Sequence, residues 1–470
     1  MAINKIFSIS AVALAPYTFV FAMQIIFARY LTVAEIGQFA LVNLLLMLFM
    51  TSTNWGVDRY IIANKKITKD AINEIFTQEL IFSLIVYVVC ITLFRDNINK
   101  YVKLEDSGVF WALLLCIFVY NPLSRSKAIL EKNMLFLPAY LPALAAHFVG
   151  CSLGFLLLNM GYGIWSMVAW KMAVLIIEYV ILLLFTPDRP KFNFQFENFN
   201  THLVFCLPLL LGGVLSFFSV TADIWIVNNL LGPFELGLYW LAFSTSHVVL
   251  SARALINRML LPFLSQAVSS EEKIELFSRL NGFLQIAVVG VTVLVAYWGA
   301  DAFVLVFGSK WSEAGYLFIV LFYAVAFKII SGTANSLLHS FMKTGIDLNV
   351  ALTNALILIP LLVVFTHFGG VLGTSIAVLV STIVMTVYVY EVHVRKVCNL
   401  GFLYFFSYLS INLIVLICVN FMLSEYLDDL MIRFFATASS ILIAYLTLSM
   451  PSISSRNLNL KWVFVRQSLF

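Results

Sequence analysis

From Ile9 to Met450 the chain is a succession of apolar stretches about twenty residues long, separated by short polar breaks. A helix rises about 1.5 Å per residue, so ~20 apolar residues cross the ~30 Å hydrocarbon layer of a bilayer. Lipid offers no partner to a backbone N–H or C=O, which leaves helices and closed barrels as spanning structures. Continuous apolar runs of this length, without alternation, specify helices. Composition agrees: the chain is 62% hydrophobic and 11% charged, where soluble domains carry about 25% charged residues. The expected fold is therefore an all-α polytopic membrane protein.

Counting the runs gives about 14 transmembrane helices. The first six are 9–28, 37–57, 79–94, 109–130, 135–158 and 162–185. The next six are 203–230, 236–261, 283–307, 314–341, 348–368 and 370–390, and two more follow at 402–423 and 430–450. Lys5 precedes the first run, which reads as an uncleaved first helix. With the N-terminus cytoplasmic, twenty Lys and Arg residues fall in inward segments and six in outward ones. That asymmetry follows the positive-inside rule and places both termini in the cytoplasm. The polar connections, the longest being Asp58–Asn73, Arg95–Asp106, Pro187–Thr201 and Ser265–Asn281, are too short for a folded extramembrane domain. Ser265–Asn281 reads as a solvated loop in preference to an amphipathic interfacial helix. Net charge is +4, with no basic run interleaved with aromatics, so nothing points to nucleic acid. The six cysteines lie far apart, mostly inside apolar runs, without metal-ligand spacing; they read as small packing residues. No metal and no cofactor is expected.

A thirteen-residue hinge occurs twice. Ala28–Ala40 (ARYLTVAEIGQFA) aligns without a gap on Asn228–Trp240 (NNLLGPFELGLYW). Leu31 falls on Leu231, Glu35 on Glu235, Gly37 on Gly237 and Phe39 on Tyr239. The glycine-led start of the sixth run, Gly163-Ile164-Trp165, has a counterpart in Gly370-Val371-Leu372 at the twelfth. A six-helix unit is thus expected twice. Residues 1–200 form an N-terminal bundle, 201–395 a second, and 396–470 two extra helices and a cytoplasmic tail. Six is even, so the copies share one orientation and a pseudo-twofold axis along the membrane normal, with a substrate path between them.

Ionisable groups inside spans are costly and face a cavity or a partner. Lys171 and Glu178 share one face of the sixth span, two turns apart. Asp223 lies in the seventh span, Arg253 and Arg258 in the eighth, Lys328 in the tenth, and Arg29 at the outer end of the first. Lys171, Lys328, Arg253, Arg29 and Arg258 form a candidate cationic, phosphate-binding set, since Arg and Lys hold phosphate oxygens. Asp223 and Glu178 are candidates for charge pairing or for binding a coupling ion. His147 and His247 read as hydrogen-bonded packing residues. Pro16, Pro142, Pro208 and Pro360 fall within spans and can bend them.

The repeated Leu-x-x-x-Glu-x-Gly, closest in Leu231–Tyr239, resembles the polysaccharide-transporter branch of the multidrug/oligosaccharidyl-lipid/polysaccharide exporter superfamily. The first copy departs from that pattern, with Thr32-Val33-Ala34 in place of Gly232-Pro233-Phe234. The resemblance implies a flippase of the O-antigen (Wzx) type, active in lipopolysaccharide biosynthesis at the bacterial inner membrane. Its cargo would be an undecaprenyl-pyrophosphate-linked oligosaccharide, moved by ion-coupled alternating access. A polysaccharide polymerase and a chain-length regulator are its implied partners, beside membrane lipids. Two other readings compete. A cation-coupled multidrug exporter would favour acidic cavities, against Lys171 and Lys328. A membrane polymerase or glycosyltransferase would need a large outward loop or a carboxylate motif, and Asp428-Asp429 at a loop end reads as a solvated turn. The chain is accordingly expected not to be an enzyme.

Overall fold

The computed structural model describes residues 2–64, 67–93, 95–96, 106, 108–186, 189–194, 196–197, 199–266, 269–341, 346–399, 401–402 and 437. Side chains at 2–11, 13–14, 63, 201, 251–259, 261–263, 265–266, 283, 286 and 347–348 are not among those described. The described residues hold helices and no strand. In order they are α1 (Ala2–Tyr30), α2 (Val33–Asn54), α3 (Val57–Ala63), α4 (Lys69–Leu93), α5 (Gly108–Leu114), α6 (Ile117–Lys132) and α7 (Phe136–Asn159). Then come α8 (Ile164–Phe185), α9 (Phe199–Leu230), α10 (Pro233–Gln266), α11 (Ser270–Phe307), α12 (Ser312–Ser340), α13 (Ile346–Tyr388) and α14 (Arg395–Cys398). Among the described residues nine segments are long and apolar enough to cross a membrane, making this a multi-pass membrane protein. One of them, Asn349–Cys398, has 50 residues, and the break at Gly370 divides it into two spans. The thirteenth and fourteenth expected spans lie outside the described residues.

The chain divides into two compact units. The first comprises Met1–Leu255, Ala300–Val325 and Gly345–Met385. The second comprises Ile256–Gly299, Ala326–Thr344 and Thr386–Phe470. One continuous core runs through the first unit, with Phe27 and Ala28 of α1, Leu41, Leu44 and Leu46 of α2, Leu236, Leu238 and Leu241 of α10, Trp311, and Ala377 and Val378 of α13. Lipid is as apolar as these side chains, so close van der Waals packing and buried polar contacts hold such helices together. In the second unit Thr333 donates to Asn281 at 3.3 Å and Lys273 to the Ser340 carbonyl at 3.0 Å, tying α11 to α12.

The repeated hinge sits in the first unit, and its two copies meet there. Thr32 caps α2: its hydroxyl accepts from the Glu35 N–H, and the Glu35 carboxylate accepts from the Thr32 N–H at 2.8 Å. The second copy starts its helix differently, with Gly232 at φ 98° and Pro233 at the first helical position. Both helices then run into a glycine. A Cβ on Gly37 would stand 1.9 Å from the Pro233 carbonyl oxygen; one on Gly237 would stand 2.0 Å from that of Val33. Val33 and Pro233 are themselves equivalent positions of the repeat. The contact is reciprocal, residue for residue, as a twofold requires. The second pair of repeat glycines agrees: Gly163 has φ 52°, ψ −128° and Gly370 has φ 56°, ψ −143°. Both begin a span in the same backbone conformation, one a side chain resists.

The segment Ser265–Asn281, expected as a solvated loop, is helical from Ser270 onward as the start of α11. Ser269 caps it, its hydroxyl accepting from the Glu272 N–H at 3.1 Å, and Glu275 pairs with Arg279 one turn on. The polar residues are the wet side of a helix that outlasts its apolar stretch.

Candidate functional site

One buried stripe of α8 carries both of its charged residues. Met167, Val174, Glu178 and Leu182 are buried along it, and Lys171 lies on the same stripe, half-buried. Glu178 is paired with Lys127 of α6. Lys171 makes no hydrogen bond or ion pair among the described residues; its titratable neighbours are Cys116 and His147. The sequence brings Lys171 and Glu178 onto one face, and the structure gives the acid to another lysine.

Asp223 of α9 is buried and engaged. The Tyr239 hydroxyl donates to its Oδ2 at 2.5 Å, and the Ile224 N–H donates to its Oδ1 at 2.9 Å. In the first half the two equivalent positions, Met23 and Phe39, are apolar and buried. The second half therefore carries a matched acid and hydroxyl where the first half carries neither. Tyr239→Phe should lower thermal stability by about 1.5–3 kcal/mol, as a buried carboxylate loses its hydroxyl donor. Asp223→Met with Tyr239→Phe, which restores the apolar pair of the first half, should lose less in the same melting measurement.

Arg29 lies at the end of α1, where its Nε donates to the Val306 carbonyl at 2.9 Å and its Nη2 to Leu305 at 2.8 Å. The end of α1 is served in return: Lys310 donates to the Leu31 carbonyl at 2.5 Å, and the Trp311 indole to Ala28 at 2.8 Å. Arg29 thus caps the last carbonyls of α11, and Lys310, in the 3-10 turn Ser309–Trp311 that follows α11, caps the end of α1; helix C-termini favour positive charge. Lys328 is half-buried on α12, in the second unit. Arg253 and Arg258 lie on α10, and their side chains fall outside those described. His147 and His247 each bond a carbonyl one turn back, Ala143 and Phe243, as packing histidines do.

Two buried charged residues are not singled out by the sequence. Arg125 of α6 is 2% exposed and Glu79 of α4 is 4% exposed. Glu79 stands at the sequence-defined start of the third span and so looks like a boundary residue. The structure begins α4 at Lys69, which carries Glu79 three turns into the helix. The signal that could have found Arg125 is its company, Asn121, Ser124, Ser126 and Lys127, inside the expected span 109–130.

Relatives fit this geometry. Over residues 26–315 the chain matches the family described as "Polysaccharide biosynthesis protein". It is similar to a Klebsiella pneumoniae protein described as "Uncharacterized membrane protein in cps region", 22% identical, with 88% of this chain and 87% of the other covered. Among solved structures it resembles "Lipid II flippase MurJ, inward closed conformation", with TM-score 0.72 and 15% identity, covering 94% of this chain and 97% of that one. It also resembles an inward-facing multidrug resistance MATE family transporter of the MOP superfamily, with TM-score 0.61 and 14% identity, covering 80% and 92%. The fold is shared with that flippase and that exporter. With the repeat, the glycine crossing and the match over most of its length taken together, the chain belongs to the polysaccharide biosynthesis protein family.

Proposed function

We propose that this protein is a flippase that carries an undecaprenyl-pyrophosphate-linked oligosaccharide, the O-antigen repeat unit, across the bacterial inner membrane by ion-coupled alternating access. In this reading the bundles 1–200 and 201–395 rock about a path between them, both termini are cytoplasmic, and 396–470 is an addition. A polysaccharide polymerase and a chain-length regulator act next on the cargo. The observation that carries the proposal is Lys171, a basic side chain in the middle of a span with no acid against it among the described residues. Such a charge is stabilised by an anionic cargo group, and the pyrophosphate is the part of this cargo most in need of a partner in lipid. Lys328, Arg253 and Arg258 are proposed as further contacts from the second half. Arg29 keeps Nη1 for the same task beside its two carbonyl bonds. An exporter of cationic drugs fits the same fold but would be repelled by Lys171.

The test is Lys171→Ala, and separately Lys328→Ala, assayed for surface polysaccharide with membrane protein level as control. A lost charge-assisted contact is worth about 1.5–3 kcal/mol, or roughly ten- to a hundredfold in flux. Polymer should fall by that factor in Lys171→Ala with protein level unchanged, and recover in part in Lys171→Arg. Wild-type polymer in both alanine variants overturns the proposal.

A further inference from the structure

The seam between α4 and α6 holds a cluster of polar groups that the flippase reading does not use. Ser83 and Glu79 are one turn apart on α4; Asn121 and Arg125 are one turn apart on α6. Asn121 donates to the Ser83 hydroxyl at 2.9 Å, which sets the two stripes face to face. Arg125, however, reaches past Glu79. Its guanidinium lies over the Phe76 ring at 4.5 Å, and its Nη1 approaches the Ile72 carbonyl at 3.5 Å. Both Glu79 oxygens are buried and accept no hydrogen bond among the described residues, and the Arg125 Nε is also without a partner. Beside Glu79 is a small cavity with room for about one water, lined by Trp55, Val57, Tyr60, Ile75, Gln78, His202 and Cys206. His202 bonds Gln78 through Nδ1 at 3.2 Å, and its buried Nε2 has no partner.

An ionised carboxylate with neither oxygen bonded is strongly disfavoured in such a site, whereas the neutral acid is tolerated. The charged and titratable groups around it are Asp58 and Tyr60 of α3, Tyr120 and Arg125 of α6, His202 and Cys206 of α9, and Glu74 on α4 itself. None of them bonds the carboxyl. Of these groups only Arg125 is a fixed cation on the stripe facing Glu79.

We propose that Glu79 is a proton-binding site, and that its proton and the Arg125 guanidinium are alternative partners for the same carboxyl. In the state described, Glu79 holds the proton and Arg125 rests on Phe76. When the proton leaves, through the cavity water to His202 Nε2, the carboxylate is charged and Arg125 swings back one turn to pair with it. The swing changes which turns of α4 and α6 are tied together, so proton occupancy biases the packing of the first unit. The inference needs the fold alone and stands whether or not the cargo proposal holds.

Infrared difference spectroscopy of the full-length protein in lipid discs, with pH stepped upward from neutral, tests it without cargo or transport. The expected result is loss of the carbonyl stretch of a neutral, weakly bonded carboxyl, absent from Glu79→Gln and shifted in Glu79→Asp. Arg125→Met should retain the neutral band to higher pH, because the competing cation is gone. A wild-type spectrum identical to that of Glu79→Gln would show Glu79 ionised throughout and overturn the proposal. Should Glu79→Gln not fold, the band's absence from wild type, or its failure to move in Glu79→Asp, overturns it equally.

Discussion

Gly37→Leu is expected to prevent the protein from folding, and Gly37→Ala to lower its thermal stability by up to about 3 kcal/mol. The obstacle at this crossing is backbone: the Pro233 carbonyl oxygen at 1.9 Å and the Gly237 nitrogen at 2.7 Å from where a Cβ would stand. A flexible side chain could move aside, but a helix backbone moves only with its whole helix, so overpacking sits at the top of its usual range of about 1–3 kcal/mol. The twofold relation adds a sharper expectation. Gly237→Ala should cost nearly as much as Gly37→Ala, because it meets the equivalent oxygen, of Val33, at 2.0 Å. The double alanine variant should cost less than the sum, since the first Cβ already separates the helices. Melting in detergent, followed by tryptophan fluorescence and monitored for monodispersity, provides all four values. A Gly37→Leu protein that melts like wild type would show that α2 and α10 do not cross as described.

This crossing marks how far the sequence could be read. The repeat was visible as matched letters, Leu31/Leu231, Glu35/Glu235 and Gly37/Gly237, and these implied a duplicated bundle. What the letters are for was not visible. Glu35 is spent on capping its own helix start, a local task that Thr32-x-x-Glu35 announces. Gly37 is spent on a contact two hundred positions away, which no local rule reports. Spacing along one helix placed Lys171 and Glu178 on one face correctly, yet it sees only that helix. The Lys127 that claims Glu178 comes from α6, and the carbonyls that hold Arg29 come from α11. Polarity misled once, at Ser265–Asn281, where a helix leaving the apolar layer looks like a loop because its solvent face outnumbers its buried one. Glu79 was missed for a related reason: the start of an apolar run marks where lipid begins, while α4 itself begins at Lys69.

Glu178→Ala is expected to destabilise the first unit by about 3 kcal/mol, the lower end of the range for breaking a buried ion pair from one side. Glu178 is 6% exposed and Lys127 25%. The lysine left behind can turn part of its stem toward polar surroundings, which moderates the penalty. Removing both charges together changes the sign of the argument. Lys127→Met with Glu178→Leu leaves no orphaned ion and fills similar volume, and such exchanges are often neutral. The double variant should therefore melt near wild type, with a coupling of about 2 kcal/mol or more between the two sites. The same proteins separate two roles for Glu178. A purely structural pair predicts that the double variant restores surface polysaccharide along with stability. A carboxyl that transport itself requires predicts recovered stability with no recovered polymer. Because Lys171 lies on the same stripe two turns away, the second outcome would place the working charges of α8 on Lys171 and Glu178 jointly, with Lys127 holding the acid between cycles.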